Sequence, residues 1–340
     1  MKTATDQDTK RDAGTRVIMY REALNEALRE EMRADQRVII IGEGIAARGG
    51  SYKVTVDLLK EFGPRRVIDT PIAENGFTGM GVGAALTGMK PVVEILFIDF
   101  SMLILDQIIN QAAKFKFMSG GAGHIPMVLR TQGGVGNGLA AQHSQSLEAI
   151  YYHIPGLRLV MPSCPYDAKG LLKSAIQCED PVIFIEHKLL YMTKGVVPEH
   201  EYTIELGRGD IKKVGKDLTI IAWSGMVNRC LEAAEMLSEE GIDAEVVDLR
   251  SLVPLDKELI LDSVRKTEHV LIVQEAVRRG GIASDIASVI QQEAFDYLDA
   301  PIGIVAGLNT PCPFNVELEK MVVPQVEDIY RAAENVVYMK

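Results

Sequence analysis

The chain has 340 residues, with 36 lysines and arginines against 47 aspartates and glutamates, for a net charge of −11. At about 150 residues per domain that length predicts two domains, and 47% apolar with 24% charged residues excludes a disordered or fibrous chain. The negative balance argues against nucleic acid or an anionic membrane as the main partner, and no apolar run reaches the ~18 residues that suggest a spanning helix.

Residues 1–15 are polar, carry Asp6, Asp8 and Asp12, and lack the apolar stretch of a secretory leader; they are expected to form a flexible arm. Residues 18–33 place Ala23, Leu24, Ala27, Leu28 and Met32 on one face, the pattern of an amphipathic helix. Short β-branched runs follow at Val38–Ile41, Arg66–Ile68, Val92–Phe97, Met127–Leu129, Leu159–Met161 and Val182–Ile185, mostly separated by helix-length segments. Strands that read as continuous apolar runs belong to parallel sheets covered on both faces. Residues 196–217 read as a connection with a short hairpin. A second series then begins, with strands at Leu218–Ala222, Ala244–Val247, Val270–Val273 and Ile302–Val305 and helices near 227–240, 256–266 and 282–297. The fold class is α/β in two domains, 16–199 and 200–340. The charge divides at the same place: 22 acidic and 22 basic side chains up to residue 199, then 25 and 14. Cys164, Cys178, Cys230 and Cys312 are far apart, which gives neither a zinc ribbon nor a disulfide framework and favours a reducing compartment.

Two glycine motifs fail on inspection. Gly42-Glu43-Gly44-Ile45-Ala46-Ala47 fits a dinucleotide fingerprint, with Asp69 as a ribose-binding acid, but Arg48-Gly49-Gly50-Ser51 follows as loop and helix is expected only from about Tyr52. Gly133-Gly134-Val135-Gly136-Asn137-Gly138 lacks the Lys-Ser/Thr ending of a P-loop and reads as a mobile loop at a strand's carboxyl end.

A third constellation survives. In Ile68–Gly79, Thr70 is expected as N-cap with Pro71 at the first helical position, which sets Glu74 in the first turn. Taken alone, a first-turn acid is explained by the helix dipole. The helix behind it, however, carries Gly76, Gly79, Gly81, Gly83 and Gly88, each costing about 1 kcal/mol of helix stability, which suits close packing on a subunit or ligand. Phe97-Ile98-Asp99-Phe100-Ser101 ends the next strand, with Asp99 or Ser101 starting a helix through Phe115. His143, in Gln142-His143-Ser144-Gln145-Ser146, lies beyond the glycine loop between hydroxyls and suits an acid–base role. His187 and the other histidines lack such a setting and read as structural.

These stretches, with Ala140–Ser146, Ile154–Leu172 and Val247–Asp256, resemble the beta subunit of the thiamine-diphosphate-dependent decarboxylating component of 2-oxoacid dehydrogenase complexes, over about residues 16–338. The resemblance implies two thiamin-type domains, a pyrimidine-binding parallel-sheet domain followed by a transketolase-type C-terminal domain. It implies Glu74 and His143 as catalytic groups. Glu43, Ile72, Glu74, Leu96 and Phe100 are implied as cofactor contacts, with Glu74 on the aminopyrimidine and Phe100 stacked against it. The family's Gly-Asp-Gly metal and diphosphate segment is absent, so the resemblance implies no metal ligand here and an alpha subunit, in an α2β2 heterotetramer, that holds magnesium and diphosphate. A docking partner is also implied: the lipoylated acyltransferase core, met by the acidic C-terminal domain. The substrate is expected to be a 2-oxo acid such as pyruvate, with acetoin as an alternative and a non-catalytic scaffold as a reading of another class. The expected compartment is the cytoplasm, or the mitochondrial matrix in a eukaryote.

Overall fold

The computed structural model describes residues 14–338. In its first half the strands are β1 (Thr15–Met19), β2 (Val38–Gly42), β3 (Val67–Asp69), β4 (Lys90–Ile95), β5 (Val128–Gly133), β6 (Arg158–Val160), β7 (Val182–His187) and β8 (Lys194–Pro198). Its second half adds β9 (Asp210–Lys213), β10 (Leu218–Ala222), β11 (Ala244–Asp248), β12 (Ser251–Val253), β13 (Val270–Val277) and β14 (Gly303–Gly307). The first large sheet has the order β12-β6-β7-β5-β4-β2-β3 and is parallel except for β12; the second has the order β14-β13-β10-β11-β9 and is parallel except for β9. Every residue of β2, β5, β7, β10 and β11 is buried, as strands covered on both faces require.

The expected amphipathic helix is present at Tyr20–Ala34, with Ala23, Leu24, Ala27, Leu28 and Met32 all buried. It packs on the helix Pro165–Gln177, whose Lys169 and Lys173 reach back to Glu30 at 2.7 and 2.6 Å. Several local expectations change. The 196–217 stretch holds no hairpin, because β8 returns to pair with β1 while β9 pairs with β11. Thr15 opens β1 and so leaves the expected arm; the rest of that arm, up to residue 13, lies outside the described residues. Helix after the first glycine motif begins only at Leu58, since Gly44, Gly49 and Gly50 all take positive φ and hold the chain in turns. Past Phe97 the chain winds through 3₁₀ turns, Ile98–Ile104, and a π-helical stretch, Asp106–Ala112, before becoming α-helical at Ala113–Met118.

The two halves are not independent. β12 belongs to the second half in sequence but pairs antiparallel with β6 as the edge of the first sheet. A charged cluster reinforces the seam: Arg250 reaches Asp167 at 2.8 Å, and Lys212 reaches the same carboxylate at 2.5 Å.

Candidate active site

The candidate residues follow the carboxyl ends of the four neighbouring strands β5, β4, β2 and β3, where parallel α/β sheets place their sites. β2 ends in Gly42, where a Cβ would lie 3.0 Å from the Glu94 carbonyl oxygen, so glycine lets neighbouring β4 approach. Glu43 follows directly. Its Oε1 is buried without a hydrogen-bond partner, and burial, with the charge of Glu74 added, raises its pKa. Glu74 is 8% exposed and begins the helix Glu74–Leu86. That start lies later than the sequence suggested: Ala73 is the N-cap, while the Thr70 Oγ1 is buried without a hydrogen-bond partner and its N–H donates to the Gly42 carbonyl at 3.0 Å. Asp69, the imagined ribose acid, accepts the Ala46 N–H at 2.9 Å and so serves the loop itself.

Two of the glycines behind Glu74 have different surroundings. A Cβ on Gly81 would come 2.7 Å from Val93 Cγ2, so this glycine seats the helix on β4, whereas Gly83 faces nothing within 4 Å. Gln107 in the π-helical stretch donates to Asn75 at 3.0 Å, tying the helix start to the segment that carries Phe100.

On that segment Phe100 meets the His143 ring edge-on, with centroids 5.3 Å apart, and Phe97 does so at 5.6 Å. Leu96 is half-buried beside them, while Ile72 is 82% exposed on the approach to Glu74. The structure therefore joins Phe100 with His143 and Glu43 with Glu74. Phe97 is a neighbour that sequence reasoning overlooked, although it sits at the same strand end.

The glycine loop also departs from expectation. All of it but Asn137 is buried, and three of its N–H groups are already taken by acids: Val135 donates to Glu275 at 2.7 Å, and Gly136 and Gly138 donate to Glu319 at 3.0 and 3.2 Å. What reads in sequence as a mobile loop is a nest for two carboxylates of the second half of the chain. His187, read as merely structural, pairs with Glu275 at 2.7 Å across the same seam. Burial opposes ionisation of Glu275, but His187 and the Val135 N–H outweigh it and hold its pKa near about 2.

Glu148 lies in this seam with Trp223 Nε1–H donating to it at 3.4 Å, and burial, with the charge of Glu275 adding, pushes its pKa up to about 7. An acid raised in the fold costs stability only once ionised. Stability is therefore lost as pH climbs from the ordinary glutamate range toward 7, by about 3 kcal/mol at most. Glu148→Gln is expected to flatten that decline, so that urea midpoints of wild type and variant separate more at pH 8 than at pH 5.

With the geometry in place, kinship can be stated. Residues 16–194 match the family described as transketolase, pyrimidine binding domain, and residues 207–329 match transketolase, C-terminal domain. A solved structure titled "Split gene transketolase, inactive beta4 tetramer" superposes with a TM-score of 0.78 at 26% identity, covering 95% of this chain and 99% of that one. The fold and the family matches thus define a transketolase-type, thiamine-diphosphate-dependent enzyme. The pyruvate dehydrogenase E1 component subunit beta of Rickettsia felis is 46% identical over 94% of this chain and 98% of its own, and subunit beta-2, mitochondrial, of Oryza sativa is 46% identical over 99% and 91%. The acetoin:2,6-dichlorophenolindophenol oxidoreductase subunit beta of Bacillus subtilis is 48% identical over 92% and 95%. The chain belongs to the family of 2-oxoacid dehydrogenase E1 beta subunits, which includes the acetoin dehydrogenase beta subunits.

The residues present fit the aminopyrimidine part of the cofactor: a buried carboxyl on a helix start, a second with an orphaned oxygen, and an aromatic wall. Among the described residues no group of three His, Cys, Asp or Glu side chains is placed to hold a metal ion.

Proposed function

We propose that this chain provides the pyrimidine half of a thiamine diphosphate site, completed by an alpha subunit that holds the metal and diphosphate in an α2β2 assembly. The observation that supports it most is the pair of acids Glu43 and Glu74, where burial and the neighbouring charge of Glu74 raise the Glu43 pKa. When bound, the cofactor supplies the carbon that attacks a carbonyl and the electron sink for decarboxylation. Glu74 would hold a proton on a pyrimidine ring nitrogen. Glu43, reluctant to ionise beside it, would keep the pair from carrying two charges. Phe100, Leu96 and, once a partner covers it, Ile72 would form apolar walls that exclude water. His143, steered by the edges of Phe97 and Phe100, would move a proton at the substrate oxygen.

The overall reaction is oxidative decarboxylation of a 2-oxo acid, with the acyl group and electron pair passing to the disulfide of a lipoyl group on an acyltransferase core. The test is carbon dioxide release from pyruvate, with thiamine diphosphate, magnesium and an electron-accepting dye supplied, by the purified chain alone, by its alpha subunit alone, and by both. Turnover is expected only from both, and turnover by the chain alone would refute the shared site. Acetoin as substrate is a second reading, favoured by the 48% identical Bacillus subtilis relative; dye reduction with acetoin against pyruvate distinguishes the two.

The excess of acid in residues 200–340, 25 against 14 basic, suits docking of a basic domain of the core. Binding measured by calorimetry is expected to weaken steadily with added salt and on charge reversal in this region. Equal affinity at low and high salt would count against it.

A further inference from the structure

Lys188 follows β7 directly and is 4% exposed. Its ammonium forms no ion pair within 4 Å among the described residues; it donates instead to two main-chain carbonyls, that of Gly134 at 2.8 Å and that of His143. It also lies 4.7 Å above the Phe97 ring, which makes a T-shaped contact with the His143 imidazole. The neighbouring His143-side anchor is Asp99, buried like Lys188, whose Oδ1 accepts from the Gln145 N–H at 3.2 Å and from the Gln145 side chain at 3.0 Å. Burial lowers the Lys188 pKa, while the charges of Asp99 and Glu275 oppose that fall.

A buried ammonium is costly unless its donors are satisfied, and here two of its contacts go to His143 itself and to the ring against which His143 rests. The cost is understandable if the cation does something an apolar side chain cannot. The loop carrying His143 has little regular structure, and Ala140, three residues before it, takes a positive φ of 64°. Nothing repetitive in the backbone fixes the imidazole, so the fixing falls to side chains.

We infer that Lys188 is a positioning residue, holding the His143 loop by its main-chain carbonyl and the Phe97 ring by a cation–π contact, so that the imidazole presents one orientation to the substrate. The inference rests on the reading of His143 given above and adds a residue to it. One hydrogen bond from Lys188 spans to the glycine loop, so the anchor ties His143 to the same loop that Glu275 and Glu319 clamp.

The test is a double-mutant cycle in the enzyme assembled with its alpha subunit, with whichever of pyruvate and acetoin the wild type turns over. His143→Ala is expected to lower kcat by at least about 10²-fold. Lys188→Met is expected to lower kcat by up to about 10²-fold, the cost of ångström-scale misplacement, with KM and thiamine diphosphate affinity within about twofold of wild type. Combined, the two losses should not multiply, because a residue that acts through His143 has nothing left to position once the imidazole is gone. Lys188→Arg, which keeps charge and donors, should recover most of the rate. Should Lys188→Met fail to assemble, Lys188→Gln takes its place in the cycle. Losses that multiply, or a loss confined to KM or to cofactor affinity, would overturn the role of Lys188 while leaving His143 in place. Full turnover by His143→Ala would overturn the reading of His143 and the role of Lys188 with it.

Discussion

Glu74→Ala, assembled with the alpha subunit, is expected to turn over about 10³-fold more slowly than wild type, near the middle of the range for loss of a proton-transfer group. The carboxyl sits at the first position of its helix, 8% exposed, and close enough to Glu43 for its charge to raise the Glu43 pKa. Glu43 is not expected to replace it, because it follows a different strand, β2, and its own oxygen is enclosed without a partner. Glu74→Gln separates two contributions. Glutamine keeps the shape and a hydrogen-bonding end but cannot take up and release a proton, so it should preserve cofactor binding better than alanine while remaining slow. The checks are steady-state kcat, and cofactor affinity by fluorescence quenching. Unchanged turnover in Glu74→Ala would favour the scaffold reading.

The second large effect concerns stability. Arg130 is fully buried in the middle of β5, between Glu94 on β4 and Glu186 on β7. Burial alone would lower its pKa, but Glu186 and Glu94 raise it well above the ordinary arginine value. Glu186 also accepts from the Tyr191 hydroxyl, and Tyr191 stacks on Tyr52 at 4.3 Å. Arg130→Met leaves two enclosed carboxyls facing one another, and removing one partner of a buried ionic group costs about 3–5 kcal/mol. A urea titration should show that loss, and most of it should return when Glu94 and Glu186 are replaced by leucine in the same chain. A single substitution costing under about 1 kcal/mol would mean that water reaches the triad.

Much of the architecture was written in periodicity. The Ala23–Met32 stripe and the β-branched runs are local signals, and the sheets honour them because burial on both faces demands apolar residues at each position. What escaped was anything dependent on distant partners. Thr70 looked like a cap, but its Oγ1 accepts no N–H and the helix waits until Glu74. The glycine loop looked mobile because its satisfying carboxylates, Glu275 and Glu319, lie about half a chain away. Arg130 and Lys188 lie within or just after apolar runs, and nothing nearby in sequence announces their partners. A faint signal did exist: Glu186-His187-Lys188 closes a buried strand with three polar groups at its carboxyl end, where sites gather.

The placement of β12 bears on how the molecule is made. The edge of the first sheet, beside β6, is completed by residues Ser251–Val253, about 90 positions downstream of β6 itself. During synthesis the N-terminal half therefore leaves the ribosome with an open strand edge that persists for several seconds at ordinary elongation rates. An open parallel edge is a template for pairing with other chains. Until the stretch around Pro254 emerges, that edge is blunted by its own brevity, three residues opening on Arg158, and the window closes when the second half of the chain lends its short strand.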